Sequence, residues 1–579
     1  MSTFILAAVL CGALFHASWN AIVKAQDDHS LAALVVAVFA LGGAGEIGMN
    51  LNLYGYAGKW LMIDLGVTFG DDRTPGIEVI MPDIGFIEAR RRDLVGLVLT
   101  HGHEDHIGAV PYLWPRLRCP IYATPFTAAL VRNKLREVEG GDEADITEIP
   151  MSGRFTLKPF ELELVTLTHS IPEPNAVVIR TPAGTLLHTG DWKLDPEPLV
   201  GEVTDEAALR RLGDEGILAM ICDSTNALVH GTSGSEGSVR DSLGDLVGRL
   251  SGRVAVACFA SNVARVESIA RIAAAHDRQV ALVGRSLWRI AEAARENGYL
   301  KGLPPFITEH DVGYLPREKV LLICTGSQGE PRSALARIAR EEHPNVELER
   351  GDSVVFSSRI IPGNEHSIGE LQNKLVKLGV EVVTERDHFV HVSGNPARDE
   401  LVAMYQWVRP KIAIPVHGEA RHLAAHARLA ESCQVSQALV IENGDVVRLA
   451  PGPAAVVDNV PTGRLGLDGK TLIPLDGAVM RARHRAVWSG AAVATLVLDK
   501  AGRLKADPQV TVQGLLDPEL DADHLDDVAA AVRSAVTALS GDDRGDDAAV
   551  KEAARLAVRR TLHASHGKKP VTDVHVVRV

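Results

Sequence analysis

Short apolar runs along the chain end repeatedly in polar, metal-compatible residues. DLVGLVLT runs into His101-Gly102-His103-Glu104-Asp105-His106, and FELELVTLT into His169-Ser170. TLLHTG runs into Asp191-Trp192, and KIAIPV into His417-Gly418-Glu419. Runs of this length and composition predict buried strands, each followed by a loop or helix. A sheet fixes where the residues at its strand ends point, so these four segments can deliver convergent ligands.

From Val35, VVAVFALGGAGEIGMNLNLYGYAGKWLMIDLG predicts three short strands joined by turns. GGAGEIG is rich enough in glycine to raise a dinucleotide fingerprint. A strand follows it where that motif needs a long helix, so a tight turn feeding a sheet is the better reading. Between Asp191 and His417 the pattern changes. RVAVACFA precedes SNVARVESIARIAAAH, QVALVGR precedes SLWRIAEAARENG, and VLLICTG precedes SQGEPRSALARIAR. Repeated strand–loop–helix units predict a separate parallel α/β domain, inserted because a metal-type strand returns after it. Beyond Pro451, turn-rich PGPAAVVDNVPTG leads to two predicted helices, LDADHLDDVAAAVRSAVTAL and DDAAVKEAARLAVRRTLHA, and a final strand, VTDVHVVRV.

With 579 residues the chain exceeds a single core. Its net charge of −14 argues against indiscriminate nucleic-acid binding, although a local basic channel remains compatible with it. The cysteines (Cys11, Cys119, Cys222, Cys258, Cys324, Cys433) lie far apart without a C-x-x-C pair, which predicts reduced thiols in a cytoplasmic protein. Met1 to Trp19 is nearly all apolar, but no basic leader precedes it, as a secretory signal would require. ALFHASWNAIVKAQDD resembles the first helix of drug/metabolite-type transporters over a short stretch. We read residues 1–34 as a chimeric or misassigned start and expect no membrane association.

The hexapeptide at 101–106 carries most of the chemistry. Imidazole and carboxylate are preferred ligands of zinc and manganese, and so dense a cluster needs a cation to balance it when buried. His169 would complete one site with His101 and His103. His417 would complete a second with Asp105 and His106, and Asp191 is suited to bridging the two. Cations about 4 Å apart can hold a bridging hydroxide and stabilise a phosphodiester under attack, which points to a two-metal hydrolase. Two loops have a phosphate-binding character: Thr325-Gly326-Ser327-Gln328-Gly329-Glu330, between a strand and a helix, and Ser357-Ser358-Arg359 after another strand.

LGGAGEIGMN, LTHGHEDHIGAVPYL, THSIPE, HTGDWKLD, CDSTN, TGSQGEP, SSRIIPGNE, HVSGN and PVHGEARHL, in this order, resemble the metallo-β-lactamase superfamily. With its inserted domain the chain is similar to the β-CASP branch, and most closely to the ribonuclease J family of bacteria. The resemblance implies an α/β fold: a metallo-β-lactamase αββα sandwich, an inserted β-CASP parallel α/β domain and a small C-terminal α/β domain. The expected boundaries are 35–221 and 361–450 for the sandwich, 222–360 for the insertion, 451–480 for a linker and 481–579 for the last domain.

The same resemblance implies roles. His101, His103, Asp105, His106, His169, Asp191 and His417 match the metal ligands of two Zn2+, with Mn2+ or Mg2+ as alternatives. Asp64 matches an acid that orients a ligand histidine. Asp105, Asp191, Asp223 and position 395 match catalytic residues. Ser327, Gln328, Gly329, Ser358, Arg359, His391, Ser393, Gly394 and Asn395 match substrate contacts. The implied substrate is single-stranded RNA, degraded from a 5′-monophosphate end and also cut internally, by a homodimer or homotetramer in the cytoplasm. A histidine at 417 goes with RNA-directed members.

One position departs from the pattern. The family has His-Val-Ser-Gly-His where this chain has His391-Val392-Ser393-Gly394-Asn395. The expected histidine contacts the scissile phosphate and serves as proton donor; an amide cannot donate a proton usefully near neutrality. A second class is therefore a weak or inactive paralogue that binds RNA or a partner nuclease. A metallo-hydrolase of thioesters or lactams is a third, disfavoured by the large insertion and its phosphate-type loops.

Overall fold

The computed structural model describes residues 36–361, 363–517 and 519–579. The expectations for residues 1–34 lie outside the described residues. The chain divides into two compact units, one reaching Thr68 and resuming at Met81–Thr462, the other comprising Phe69–Ile80 and Gly463–Val579.

The first unit is built on two stacked sheets. One runs from Ala455–Asn459 through Asp445–Ala450, Val36–Gly42, Leu51–Tyr56, Lys59–Ile63, Leu94–Val98 and Ile121–Ala123 to Ile146–Glu148. The other runs from Arg154–Leu157 through Phe160–Thr166, Asn175–Thr181, Gly184–His188, Ala219–Asp223 and Ile412–Val416 to Gln437–Ala438. Their facing side chains form one core: Val38, Ala40, Tyr54, Leu61 and Ile63 from the first meet Leu162, Leu164, Val177, Ile179, Ile221 and Ile414 from the second. Helices Glu206–Glu215, Arg398–Val408 and Ala420–Ser432 cover the outer face of the second sheet, burying Leu209, Leu212, Leu401, Met404 and Leu429. The αββα sandwich follows from strands that need burial on both faces.

The inserted domain has a sheet ordered Gln279–Val283, Val320–Cys324, Val254–Ala257, Ser353–Phe356 and Glu381–Val383, with every neighbouring pair parallel. The structure corrects the expected boundary at 360. Helix Glu365–Lys377 and strand Glu381–Val383 continue the strand–helix repeat of the insertion, so the chain returns to the sandwich only after Val383. The 451–480 linker is also corrected. Ala455–Asn459 extends the sandwich beside Asp445–Ala450, and Arg464–Asp468 forms a hairpin with Thr471–Pro474. Gly469, at φ +61°, supplies the positive φ that a two-residue hairpin turn requires. Turn-rich composition concealed these short strands.

In the second unit, Ala491–Leu498 lies between Gln509–Gln513 and Val571–Arg578. Its alternate residues Ala492, Ala494, Leu496 and Leu498 are buried, the period expected of a one-sided sheet. Helices Ala522–Thr537 and Asp547–His566 cover that face with Val528, Val532 and Val536, and with Val550, Ala554, Val558 and Leu562. The spacing of four along each helix puts these residues in one stripe.

Of the cysteines, Cys119, Cys222, Cys258, Cys324 and Cys433 are free thiols; Cys11 lies outside the described residues. Among the described residues, no helix is long and apolar enough to cross a membrane.

Candidate metal centre

Strand Leu94–Val98 leads through Leu99 and Thr100 to His101, and His103 caps the short helix Glu104–Ile107. Phe160–Thr166 leads to His169. The ring nitrogens converge: His101 Nε2 lies 3.1 Å, and His169 Nε2 2.9 Å, from His103 Nδ1. Asp105, His106, Asp191 and His417 form a second convergent group. His106 Nε2 is 3.2 Å from Asp191 Oδ1 and 3.6 Å from Asp105 Oδ2. His417 Nδ1 is 2.7 Å from Asp191 Oδ1, and His417 Nε2 is 3.2 Å from Asp105 Oδ2. Despite that proximity, among the described residues His417 Nε2 is buried without a hydrogen bond of good geometry, so a ring nitrogen is left for another occupant of the cluster. The donor set suits divalent cations that take imidazole and carboxylate ligands.

Backbone geometry fixes these side chains. His417 adopts φ +52°, outside the usual range for a non-glycine residue, and its N–H donates to the Gly43 carbonyl at 2.6 Å. Gly66 passes so close beneath Asp105 that a Cβ there would sit 1.6 Å from the Asp105 carbonyl oxygen. Asp64, at φ +62°, accepts from the Thr100 amide at 2.8 Å and from Thr100 Oγ1 at 2.9 Å, and its Oδ2 is 2.7 Å from His106 Nδ1. A carboxylate on the far nitrogen sets the tautomer and the ring orientation of a histidine. The carbonyl of Gly394 holds His169 Nδ1 in the same way.

Charge separates the two groups. Burial, reinforced by the neighbouring rings, holds His101 well below the ordinary histidine range and His103 near a pKa of about 3, so both present neutral nitrogens. Burial lowers His169 as well. Burial opposes charge on His106 and His417, but Asp191 leads the neighbouring carboxylates in raising both well above the usual value. Burial and then the neighbouring Asp191 push Asp223 up to about 6.

Asp223 stands at the end of strand Ala219–Asp223, and Asn395 reaches the same place from a loop. The Asn395 Nδ2 donates to Asp191 Oδ2 at 3.0 Å and to Asp223 Oδ2 at 2.8 Å. Asn226 ties this loop to the inserted domain: its Nδ2 donates to Ser393 Oγ at 2.7 Å and to the Asn395 carbonyl at 2.9 Å, while its Oδ1 accepts from Arg359 at 2.9 Å. Among the described residues, the buried Nδ1 of His391 has no hydrogen-bond partner. Burial first, then the cationic Arg265, Arg359 and Lys193, hold it well below its usual pKa.

The 325–330 loop differs from its expected form. The helix after it begins only at Ala334, capped by Ser333, so the amides of Ser327, Gln328 and Gly329 are not those of a helix N-terminus. Gln328 N donates to Glu330 Oε2 at 3.0 Å. The Gln328 side chain braces the next loop, donating to the Arg359 carbonyl at 2.8 Å and accepting from the Ile361 amide at 3.0 Å. Ser327 and Ser358 are buried, and Arg359 is exposed. The sequence reading missed Asn226 and also Asn50, whose Nδ2 lies 3.1 Å from His106 Nε2 and donates to the Asp105 carbonyl at 3.2 Å. Both asparagines sit inside recognised motifs, but an asparagine's bonding partners cannot be read from its type.

A sandwich with this cluster at its strand ends and a parallel insertion defines a metallo-β-lactamase-type hydrolase with a β-CASP domain. Family models agree by segment: the metallo-beta-lactamase superfamily over residues 50–232, the ribonuclease J beta-CASP domain over 251–375, the Zn-dependent metallo-hydrolase RNA specificity domain over 379–438, and the ribonuclease J C-terminal domain over 478–579. Ribonuclease J of Sinorhizobium meliloti is 45% identical across 96% of this chain and 100% of its own length. Ribonuclease J of Corynebacterium glutamicum is 42% identical (82% of this chain, 67% of the relative). Ribonuclease J2 of Bacillus subtilis is 32% identical (93% and 97%). A crystal structure of an Enterococcus faecalis protein of unknown function matches with a TM-score of 0.50 at 15% identity, covering 72% of this chain and all of that one, and shares the fold. The chain belongs to the ribonuclease J family and is a metal-dependent nuclease that binds RNA.

Proposed function

We propose that the chain is a two-metal ribonuclease that degrades single-stranded RNA from a 5′-monophosphate end in the cytoplasm, with a capacity for internal cleavage. The observation that carries this reading is the convergence of seven metal-compatible side chains in two adjoining groups. His101, His103 and His169 would hold one cation, Asp105, His106 and His417 the other, and Asp191 would serve both. Zinc bound there would supply a hydroxide at neutral pH and offset phosphate charge.

The chain's own residues position the rest. Asp64 sets His106, Gly394 sets His169, and Asn395 holds Asp191 and Asp223 in one geometry. Ser393, Gly394, Asn395 and His391 lie where an RNA phosphate entering from the inserted domain would be met. Arg359 offers an exposed cation to that approach. Ser327, Gln328, Gly329 and Ser358 support it by shaping the two loops. The second unit is the candidate for assembly into a homodimer or homotetramer.

Asn395 favours a second reading, a slow nuclease acting chiefly as an RNA-binding or partner subunit. Its amide N–H can donate to a phosphate oxygen, but supplies no acidic proton to a leaving group. Purified protein assayed on RNA with 5′-monophosphate, 5′-triphosphate and 5′-hydroxyl ends, with and without chelator, separates the readings. Chelator-sensitive cleavage fastest on the monophosphate supports the nuclease. Tight binding without cleavage supports the second reading and sinks the first.

A further inference from the structure

The second unit contains another group of cation-ligating side chains, remote in sequence from those assigned above. Asp521 precedes helix Ala522–Thr537, His524 lies in its first turn, and His566 is the last residue of helix Asp547–His566. These helices pack together through their apolar stripes, bringing the start of one beside the end of the other. One ligand atom from each of Asp521, His524 and His566 lies within 4.8 Å of the others. The two imidazoles meet edge to face, with centroids 5.3 Å apart and planes at 80°. Asp521 Oδ1 is 3.6 Å from His524 Nδ1, beyond hydrogen-bonding range, whereas Asp521 Oδ2 accepts from the Asp517 amide at 2.9 Å. The carboxylate is thus anchored by one oxygen and has the other directed toward the rings. Ser565 Oγ, 2.8 Å from His566 Nδ1, steadies the second ring.

We infer that Asp521, His524 and His566 form a divalent-cation site that clasps the open end of this helix pair, selective for a late first-row ion such as Zn2+. Two imidazoles and a carboxylate, with water completing the shell, are suitable ligands for such an ion and poor ones for Mg2+. The local charge agrees. Asp517, Glu519, Asp521, Asp523, Asp526 and Asp527 lie within one short segment that contains no lysine or arginine. Such a segment attracts cations, and the two histidines supply the selectivity that acidic groups alone lack. The helix end at His566 also favours positive charge. Binding would join the loop before one helix to the end of the next, and so stabilise the unit by binding only its folded form.

The test uses the full chain and Zn2+ alone. Histidine acylation by diethyl pyrocarbonate is read peptide by peptide, in chelator and in graded Zn2+. His524 and His566 should be modified in chelator and become protected together along one saturation curve, by about tenfold when free Zn2+ is ten times the dissociation constant. Protection of neither, or of one without the other, overturns the site. Equilibrium dialysis provides a second measure: the parent should bind one Zn2+ more per chain than His524→Ala/His566→Ala. Equal stoichiometry in the two proteins overturns it as well. Because neither readout depends on cleavage, failure here is distinguishable from failure of the nuclease assignment.

Discussion

Asn395 donates its side-chain amide to Asp191 Oδ2 at 3.0 Å, where the family pattern places a histidine. In the function proposed above that histidine is the proton donor, and an amide lacks its chemistry. The second bond of Asn395, to Asp223 Oδ2 at 2.8 Å, places the amide between two carboxylates. A histidine there would keep a donor toward the same acids and add a titrating group. Asn395→His should raise single-turnover cleavage of 5′-monophosphate RNA toward the 10²–10⁴-fold that general-acid assistance typically contributes, at about unchanged RNA affinity. A variant no faster than the parent would show that proton donation at 395 does not limit this chain.

Asp64 touches no substrate in this reading and acts through His106. It accepts from Thr100 twice and faces His106 Nδ1, so Asp64→Asn would offer the ring a donor where it needs an acceptor. Losing such a partner typically lowers metal affinity about 10–100-fold. Competition with a chelator, followed by metal analysis, should show one of two ions released early while the other is retained. Release of both together, or of neither, counts against the assigned pairing of ligands.

Gly394 tests the other cation. A Cβ on it would stand 2.7 Å from His169 Cε1 and 3.0 Å from His169 Nδ1, so alanine displaces either the ring or the loop. Gly394→Ala should lose metal from the three-histidine group and most cleavage activity, with little change in thermal unfolding measured in chelator. Retained metal content with retained cleavage would refute the positioning role of this backbone.

The convergence of these side chains was legible because residue type and spacing survive as a local pattern: His101 to His106 span six residues, and strand-end motifs carried His169, Asp191 and His417. The alternation in Ala491–Leu498 is less legible, because its buried set begins with two alanines and its partly exposed set includes two valines, so the apolar contrast between faces is weak. Domain limits were less legible. Glu381–Val383 reads like any short strand until its pairing with Ser353–Phe356 is seen, since pairing is a property of distant residues. The loop chemistry was least legible: nothing local says that Gln328 spends its side chain on residues 359 and 361, or that Asn226 links Arg359 to the Asn395 loop.

A final prediction concerns stability away from the metals. His426 is buried between Ser224 Oγ, 2.9 Å from its Nδ1, and Tyr405 OH, 2.8 Å from its Nε2, and burial pushes its pKa down to about 3. The folded chain therefore keeps this ring neutral through the range in which an unfolded chain, with a histidine near 6.5, takes up a proton. Below about pH 6.5 the unfolded state binds more protons, so His426's contribution is fully present above that pH and is lost as pH falls toward 3, at no more than about 1.4 kcal/mol per pH unit. His426→Asn should be less stable than the parent at pH 7.5, because it loses part of the Ser224–Tyr405 bridge. Its urea midpoint should nevertheless fall less steeply between pH 6.5 and 4 when both proteins are measured in chelator. Parallel pH profiles for the two proteins would mean that this histidine is not held neutral by the fold.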